Sequence, residues 1–263
     1  MSEDRVLVHV EDHVATITLN RADKRNGLDL PMFEAIVEAG ITVRSNASVR
    51  AVVLQGAGKA FCAGLDWNAF LTMGDAGQKL LARPEESPAN LAQRVAWVWQ
   101  EVDVPVICAL HGVVFGGGLQ IALGADIRIA HPDTQLSVME VKYGLIPDMG
   151  ASQTLMHLVR PDVAAELLFT GRIVLAPEAQ SLGLVTRLHE SPNEEAQRLA
   201  KQIANKSPHA IRSGKRLLRR SIGASPRVSF GLETELQLEL LGSPNQMEAV
   251  MAVMQKREPE FID

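Results

Sequence analysis

The stretch HGVVFGGGLQIALGADIRIA, residues 111–130, decides the fold. A strand-like apolar segment, PVICAL, runs straight into His111-Gly112. Gly116, Gly117 and Gly118 then open a helix-like apolar run, and IRIA reads as a further short strand. Strand, glycine turn and helix in such close order point to an α/β chain. A dinucleotide site would need G-x-G-x-x-G and an acid about twenty residues further on, at the end of a second strand, and neither is here. Two readings stay open. The glycines form a purely structural turn, or they bring the backbone close to a ligand at a helix N-terminus, where free N–H groups and the dipole favour a negative oxygen.

The 263 residues suffice for one large α/β domain, or one domain with a smaller appendage. With 46% hydrophobic but only 4% aromatic residues, the core must be built mainly from Val, Leu, Ile, Met and Ala. A net charge of −5 argues against nucleic-acid binding, which requires a strong basic excess. One local exception is KQIANKSPHAIRSGKRLLRR, from Lys201 to Arg220, which contains no acid. It reads as a solvated helix face or as a surface for an anionic ligand. Cys62 and Cys108 lie in apolar contexts without metal-ligand spacing, so buried free thiols and no metal are expected. No charged-then-apolar leader opens the chain, and no apolar run approaches the about 20 residues that span a bilayer. A soluble cytoplasmic protein, without membrane or nucleic-acid partners, is the expectation.

At the N-terminus VLVHV and VATITL alternate as a hairpin does, with Ala15, Ile17 and Leu19 on one face. Leu30 to Arg44 has helical spacing with Pro31 near its start, AVVLQG is a buried strand, and Asn90 to Val102 is an amphipathic helix. Between them TMGDAGQKLLARPEESPAN is polar and without a clear period, which predicts a mobile loop over 71–90. IRIA and QLSV read as strands separated by the turn HPDT, and from Gly150 the pattern is mostly helical.

FCAGLDW also places a small residue and a glycine directly after a strand-like segment. Two backbone N–H donors are then available, and a pair aimed at one oxygen is an oxyanion hole, which stabilises charge that develops during reaction.

These segments carry a resemblance to the enoyl-CoA hydratase/isomerase, or crotonase, family. It extends over nearly the whole chain: NRADKRNGL, GKAFCAGLD, the block from Pro105 to Ala130, QLSVMEVKYGLIPDMGASQTL, TGRIVLAPEAQSLGLV, SPHAIRSGK and MEAVMAVMQKREPEF. The resemblance implies an α/β fold of repeated ββα units forming a spiral over residues 1–200, with a C-terminal helical region over 201–263. It implies a CoA thioester substrate, and no cofactor beyond the coenzyme A of that substrate. Ala63 and Gly117 would donate to the thioester carbonyl; Lys24, Arg25, Ala63, Gly64, Leu65, Asp66 and Lys256 would lie around the CoA. Family members are trimers or hexamers, and the apolar stripe over 228–241 suits either an interface or ordinary core packing.

Hydratases of this family place glutamates at both Gln120 and Glu140, and here the first is an amide. Gln120 can orient water or a carbonyl but cannot be a general base. Glu140, among Val138, Met139 and Val141, reads as an acid/base with a raised pKa or as a salt-bridged glutamate. Asp148 reads equally as an N-cap or a second acid/base. Dienoyl-CoA isomerases resemble this arrangement, with acids at the positions of Glu140 and Asp148. Double-bond isomerisation of an enoyl-CoA is therefore expected. Hydration is the close alternative, and an acyl-CoA-binding protein without chemistry is the rival from another class. A serine peptidase is excluded because neither glycine-rich segment holds a serine. Chain specificity is expected from 71–90 and from Trp67, Phe70, Trp97 and Trp99.

Overall fold

The computed structural model describes residues 4–72, 74, 76–85 and 87–263. The alternating N-terminus forms β1 (Val6–Glu11) and β2 (Val14–Leu19), an antiparallel pair. Asp12 and His13 between them both have positive φ, 48° and 65°, the turn geometry whose twist matches that of paired strands. After a 3-10 turn at Ala22–Lys24, α1 (Leu30–Ser45) starts where Asp29 accepts from Met32 N–H and Pro31 needs no acceptor. β3 (Ala51–Gly56), α2 (Trp67–Thr72), α3 (Ala76–Leu81) and α4 (Leu91–Glu101) follow. The loop expected over 71–90 is thus partly helical; residues 73, 75 and 86 lie outside the described set. A helix of six residues is too short to display a 3.6 period against polar flanks, which is why composition alone misreads it. Asn90 and Gln93 cap α4 reciprocally, each side chain accepting from the other's backbone N–H.

The glycine-rich centre folds as β4 (Val106–Leu110), β5 (Val113–Phe115), α5 (Gly117–Leu123), β6 (Ile127–Ala130) and β7 (Gln135–Ser137). The remainder is α6 (Ala151–Leu158), α7 (Pro161–Thr170), β8 (Val174–Leu175), α8 (Ala176–Leu182), β9 (Arg187–Leu188), α9 (Pro192–Ala204), α10 (Pro208–Ser221), α11 (Pro226–Leu240) and α12 (Pro244–Gln255).

A six-stranded sheet runs β1-β2-β3-β4-β6-β9, parallel except for the first pair, and β5-β7-β8 form a smaller second sheet. IRIA and QLSV therefore belong to different sheets, β6 beside β4 and β7 beside β5. Isolated bridges Leu28↔Leu65 and Cys62↔Val114 extend the same logic to the first turns of the chain. β2, β3, β4 and β6 are each followed by a stretch aligned with the second layer and then by helix, the repeated ββα spiral of an α/β fold.

Period-two alternation splits the large sheet's side chains between two cores. Ile17, Leu19, Val52, Leu54, Val106 and Leu110 pack on the side that buries Phe33, Ile36 and Trp99. Val53, Ile107, Ala109 and Ile129 face Ala196, Ala200 and Ala204 of α9. Alanines four apart let that helix approach the sheet closely. Both cysteines are buried free thiols, and burial pushes the Cys62 thiol up to about 12.

The basic stretch meets neither of its two sequence readings in full. Lys215 is buried, and its Nζ donates to Trp99 O (3.1 Å), Val104 O (2.9 Å) and Asp126 Oδ2 (2.7 Å). Arg212 donates to Ala47 O and Val49 O, and Arg216 pairs with Glu235 at 2.9 Å. These cations brace α10 against the body of the protein. At the other end, Asp263 reaches back to the buried Arg50 at 2.6 Å. No helix among the described residues is long and apolar enough to cross a membrane.

Replacing Ala200, fully buried between α9 and the sheet, by leucine is expected to cost about 1–3 kcal/mol of stability through overpacking. Urea denaturation would register it as a lower midpoint at unchanged slope.

Candidate active site

Gly116 has φ +52°, a conformation that needs glycine, and it turns β5 into α5. Gly117 is the first residue of that helix, so its N–H has no partner within α5. A Cβ on Gly117 would meet the Met149 sulfur at 2.7 Å and Leu28 Cδ1 at 2.8 Å, so packing favours glycine there.

The second donor lies two residues from the expected one. Ala63 N–H already donates to Arg25 O at 2.9 Å and is not free for a ligand. The Leu28↔Leu65 bridge uses Leu28 N–H to Gly64 O and Asp66 N–H to Leu28 O, and this alternation turns Leu65 N–H away from the bridge. Among the described residues, Leu65 N–H and Gly117 N–H have no acceptor, and both residues line one cavity of about 250 Å³. Leu65 replaces Ala63 in the pair.

Segment 57–66 is held in place by segment 20–29. Asn26 is fully buried in left-handed backbone, φ +55°. Its Nδ2 donates to Ala57 O, Ala60 O and Phe61 O at 2.9–3.0 Å, while its Oδ1 accepts from Arg21 N–H at 2.8 Å. Arg21 also pairs with Asp66 at 2.7 Å, and Asp66 caps α2 through Ala69 N–H.

Opposite the donors, Glu140 opens a 3-10 turn, Glu140–Tyr143, rather than ending a strand. Gln120 projects from α5; its Nε2 donates to Glu140 Oε1 at 2.6 Å and its Oε1 accepts from Met149 N–H at 2.8 Å. The backbone donor fixes which way the amide faces. Glu140 Oε2 is buried with no hydrogen-bond partner among the described residues. Burial holds the Glu140 carboxyl above its ordinary value; the Asp148 charge adds to this and the Gln120 hydrogen bond opposes it. Burial likewise raises Asp148. Asp148 lines the same cavity and does not cap α6, whose N-cap is Gly150 with no side-chain cap bond.

The structure thus gathers Gln120, Glu140, Asp148, Gly64, Leu65 and Gly117 at or beside one cavity. Others of the expected set lie apart. Lys24 and Arg25 are exposed on the turn before α1, and Lys256 is exposed at the end of α12, none of them lining the cavity. Trp67 and Phe70 line it, but Trp99 is fully buried in the core and Trp97 belongs to a separate cleft beside α10. Sequence inspection missed Leu65 as donor, since which amide is already used depends on a bridge to a segment about forty residues away. It also missed Tyr143, although a lone tyrosine three residues after Glu140 was a visible signal.

A carboxyl raised in the folded state favours folding below its unfolded value and loses that contribution as pH rises through the folded one. Glu140→Gln should therefore gain stability over wild type as pH climbs from about 4 to 7. Melting temperatures of the two proteins across that range would test it, and parallel curves would contradict it.

Comparison with known proteins fits this geometry. The sequence profile of the enoyl-CoA hydratase/isomerase family matches residues 9–263. The short-chain-enoyl-CoA hydratase of Clostridium acetobutylicum is 31% identical over 99% of this chain and 98% of its own. The mitochondrial Delta(3,5)-Delta(2,4)-dienoyl-CoA isomerase of Rattus norvegicus is 30% identical over 96% of this chain and 80% of its own. The crystal structure of enoyl-CoA hydratase from Bacillus anthracis superposes with a TM-score of 0.90 at 28% identity, covering 98% of each chain. A glycine-turned spiral with two free backbone donors facing a half-buried glutamate, matched over its whole length, belongs to the enoyl-CoA hydratase/isomerase family.

Proposed function

We propose that the protein is an enzyme that shifts a double bond in an enoyl-CoA thioester. The observation that carries this is the 2.6 Å contact in which Gln120, an amide, donates to Glu140 Oε1, while Glu140 Oε2 has no hydrogen-bond partner among the described residues. The thioester oxygen would accept from Leu65 and Gly117 N–H, so that negative charge arriving on it meets fixed dipoles. Glu140 would take a proton from the carbon next to the carbonyl. The electron pair released would move onto the thioester oxygen through the conjugated chain, and the proton would return at a carbon further along, from Glu140 or from Asp148. No atom is gained or lost. Gln120 would hold the carboxylate in line without exchanging protons, because an amide has no acidic or basic site in this range.

Coenzyme A would arrive as part of the substrate. Lys24 and Arg25 would meet its phosphates near the 3-10 turn, and Lys256 would do so from the end of α12. The exposed Val228, Phe230, Leu238 and Leu241 of α11 and its end support a homotrimer or hexamer, in which this face is covered by another copy. Light scattering of the purified protein should give three or six times the 28.6 kDa chain mass; a monomer would refute it.

Hydration is the second reading, favoured by Glu140 Oε2, which has no hydrogen-bond partner among the described residues and could take a water if the side chain turned toward the cavity. Short incubations of 2-enoyl-, 3-enoyl- and 3,5-dienoyl-CoA in heavy water separate the two by mass. Isomerisation adds deuterium and no oxygen, and Glu140→Gln should lower its rate by about 10²–10⁴-fold. Gln120→Glu should restore a second carboxylate and with it water addition. Water addition by the wild type would overturn isomerisation in favour of hydration, and unchanged substrates with tight binding would leave only an acyl-CoA-binding role. Since Glu140 must be ionised to accept the proton, the rate should rise with pH through a value above the ordinary glutamate range.

A further inference from the structure

Glu140 and Asp148 are the only charged side chains lining the cavity among the described residues; the rest of its wall is aliphatic, aromatic or glycine. Two rings of that wall touch. Trp67 and Tyr143 stack with centroids 4.6 Å apart and planes inclined by 37°, and Phe70 meets Trp67 edge-on at 6.1 Å. The rings come from the two segments that carry the reacting groups: Trp67 follows the donor Leu65 by two residues, and Tyr143 follows Glu140 by three in the same 3-10 turn. Tyr143 remains 53% exposed, so the contact is not part of the buried core.

We propose that Trp67 and Tyr143 are the specificity-determining residues of the site, reading the acyl chain beyond the reacting carbons and selecting an uncharged hydrocarbon. This rests on the acyl-CoA function proposed above. With the thioester oxygen at Leu65 and Gly117 and the transferred proton at Glu140, the continuing chain runs along the wall to which these rings belong. A flat unsaturated chain fits against ring faces and buries apolar area there. An ionised or hydroxylated chain would lose water and find no donor or acceptor on the aliphatic wall. Selection thus acts through the rings and not through the tyrosine hydroxyl.

The test is calorimetric titration with free CoA, with saturated acyl-CoA of four, eight and twelve carbons, and with an eight-carbon acyl-CoA ending in a carboxylate. None of these ligands needs to react. In the wild type, affinity should rise about fourfold per added methylene until the cavity is filled, and the carboxylated chain should bind at least tenfold more weakly than its plain counterpart. Tyr143→Ala and Trp67→Ala should flatten the length dependence and leave free CoA binding unchanged, while Tyr143→Phe should behave as wild type. Tyr143→Ala carries the test alone if the Trp67 variant does not fold. Alanine variants that keep the full gradient, or a carboxylated chain bound as tightly as the plain one, would overturn the specificity role while leaving the acyl-CoA function standing. A wild type that binds every acyl-CoA no better than free CoA would overturn both.

Discussion

The amide of Gln120 is clamped at both ends, and the chemistry available to the site depends on that clamp. Met149 N–H holds its oxygen and Glu140 Oε1 takes its nitrogen, so the nitrogen cannot turn away from the carboxylate. A glutamate at this position would put two negative charges within hydrogen-bond distance, which drives one of them to hold a proton. With an amide there instead, Glu140 is the one carboxyl of the pair; burial opposes its ionised form and the nearby Asp148 charge adds to that, while backbone N–H groups and the Gln120 amide favour it. Burial wins, so the carboxyl sits above its ordinary range.

The facing half of the site is made of backbone, and backbone can be aimed only by what surrounds it. Asn26 gathers three carbonyls of segment 57–61 on one side-chain nitrogen, Arg25 and Leu28 exchange hydrogen bonds with 63–66, and Arg21 locks Asp66. Within this stitching the N–H groups of Ala63 and Asp66 are used up, which removes them as candidate donors to the site. What is left over, Leu65 N–H, faces the same cavity as the first amide of α5. The two free amides are the remainder after two loops have satisfied one another.

Two buried cations show how closely polar groups are partnered elsewhere. Lys215 places three acceptors around one ammonium and holds α10 to the turn after α4; burial lowers its pKa and Asp126 counteracts this. Arg50 does the equivalent for the chain's end through Asp263 and Phe261 O. Glu140 Oε2 is buried without a partner among the described residues, as are Arg94 Nε, Trp99 Nε1, His111 Nδ1, Asn193 Oδ1 and Ser221 Oγ, but of these residues Glu140 alone lines the cavity.

Much of this was legible without coordinates. Alternation in VATITL, the run AVVLQG and the strand–glycine–helix order of 105–123 fixed the large sheet and the turn that frees Gly117 N–H, because those signals are local. The family resemblance marked Gln120, Glu140 and Asp148 as one side of the site, and the amide at position 120, where the hydratases have a glutamate, pointed away from paired-carboxylate chemistry. Four things were settled only by tertiary contacts: Leu65 rather than Ala63 as the second donor, helix within 71–90, Trp99 in the core, and Tyr143 stacked on Trp67. The reason is common to all of them. A sequence states which groups can donate, pack or ionise, but which of them remains free is decided by partners dozens of residues away, and a site is made of what those partners leave unused.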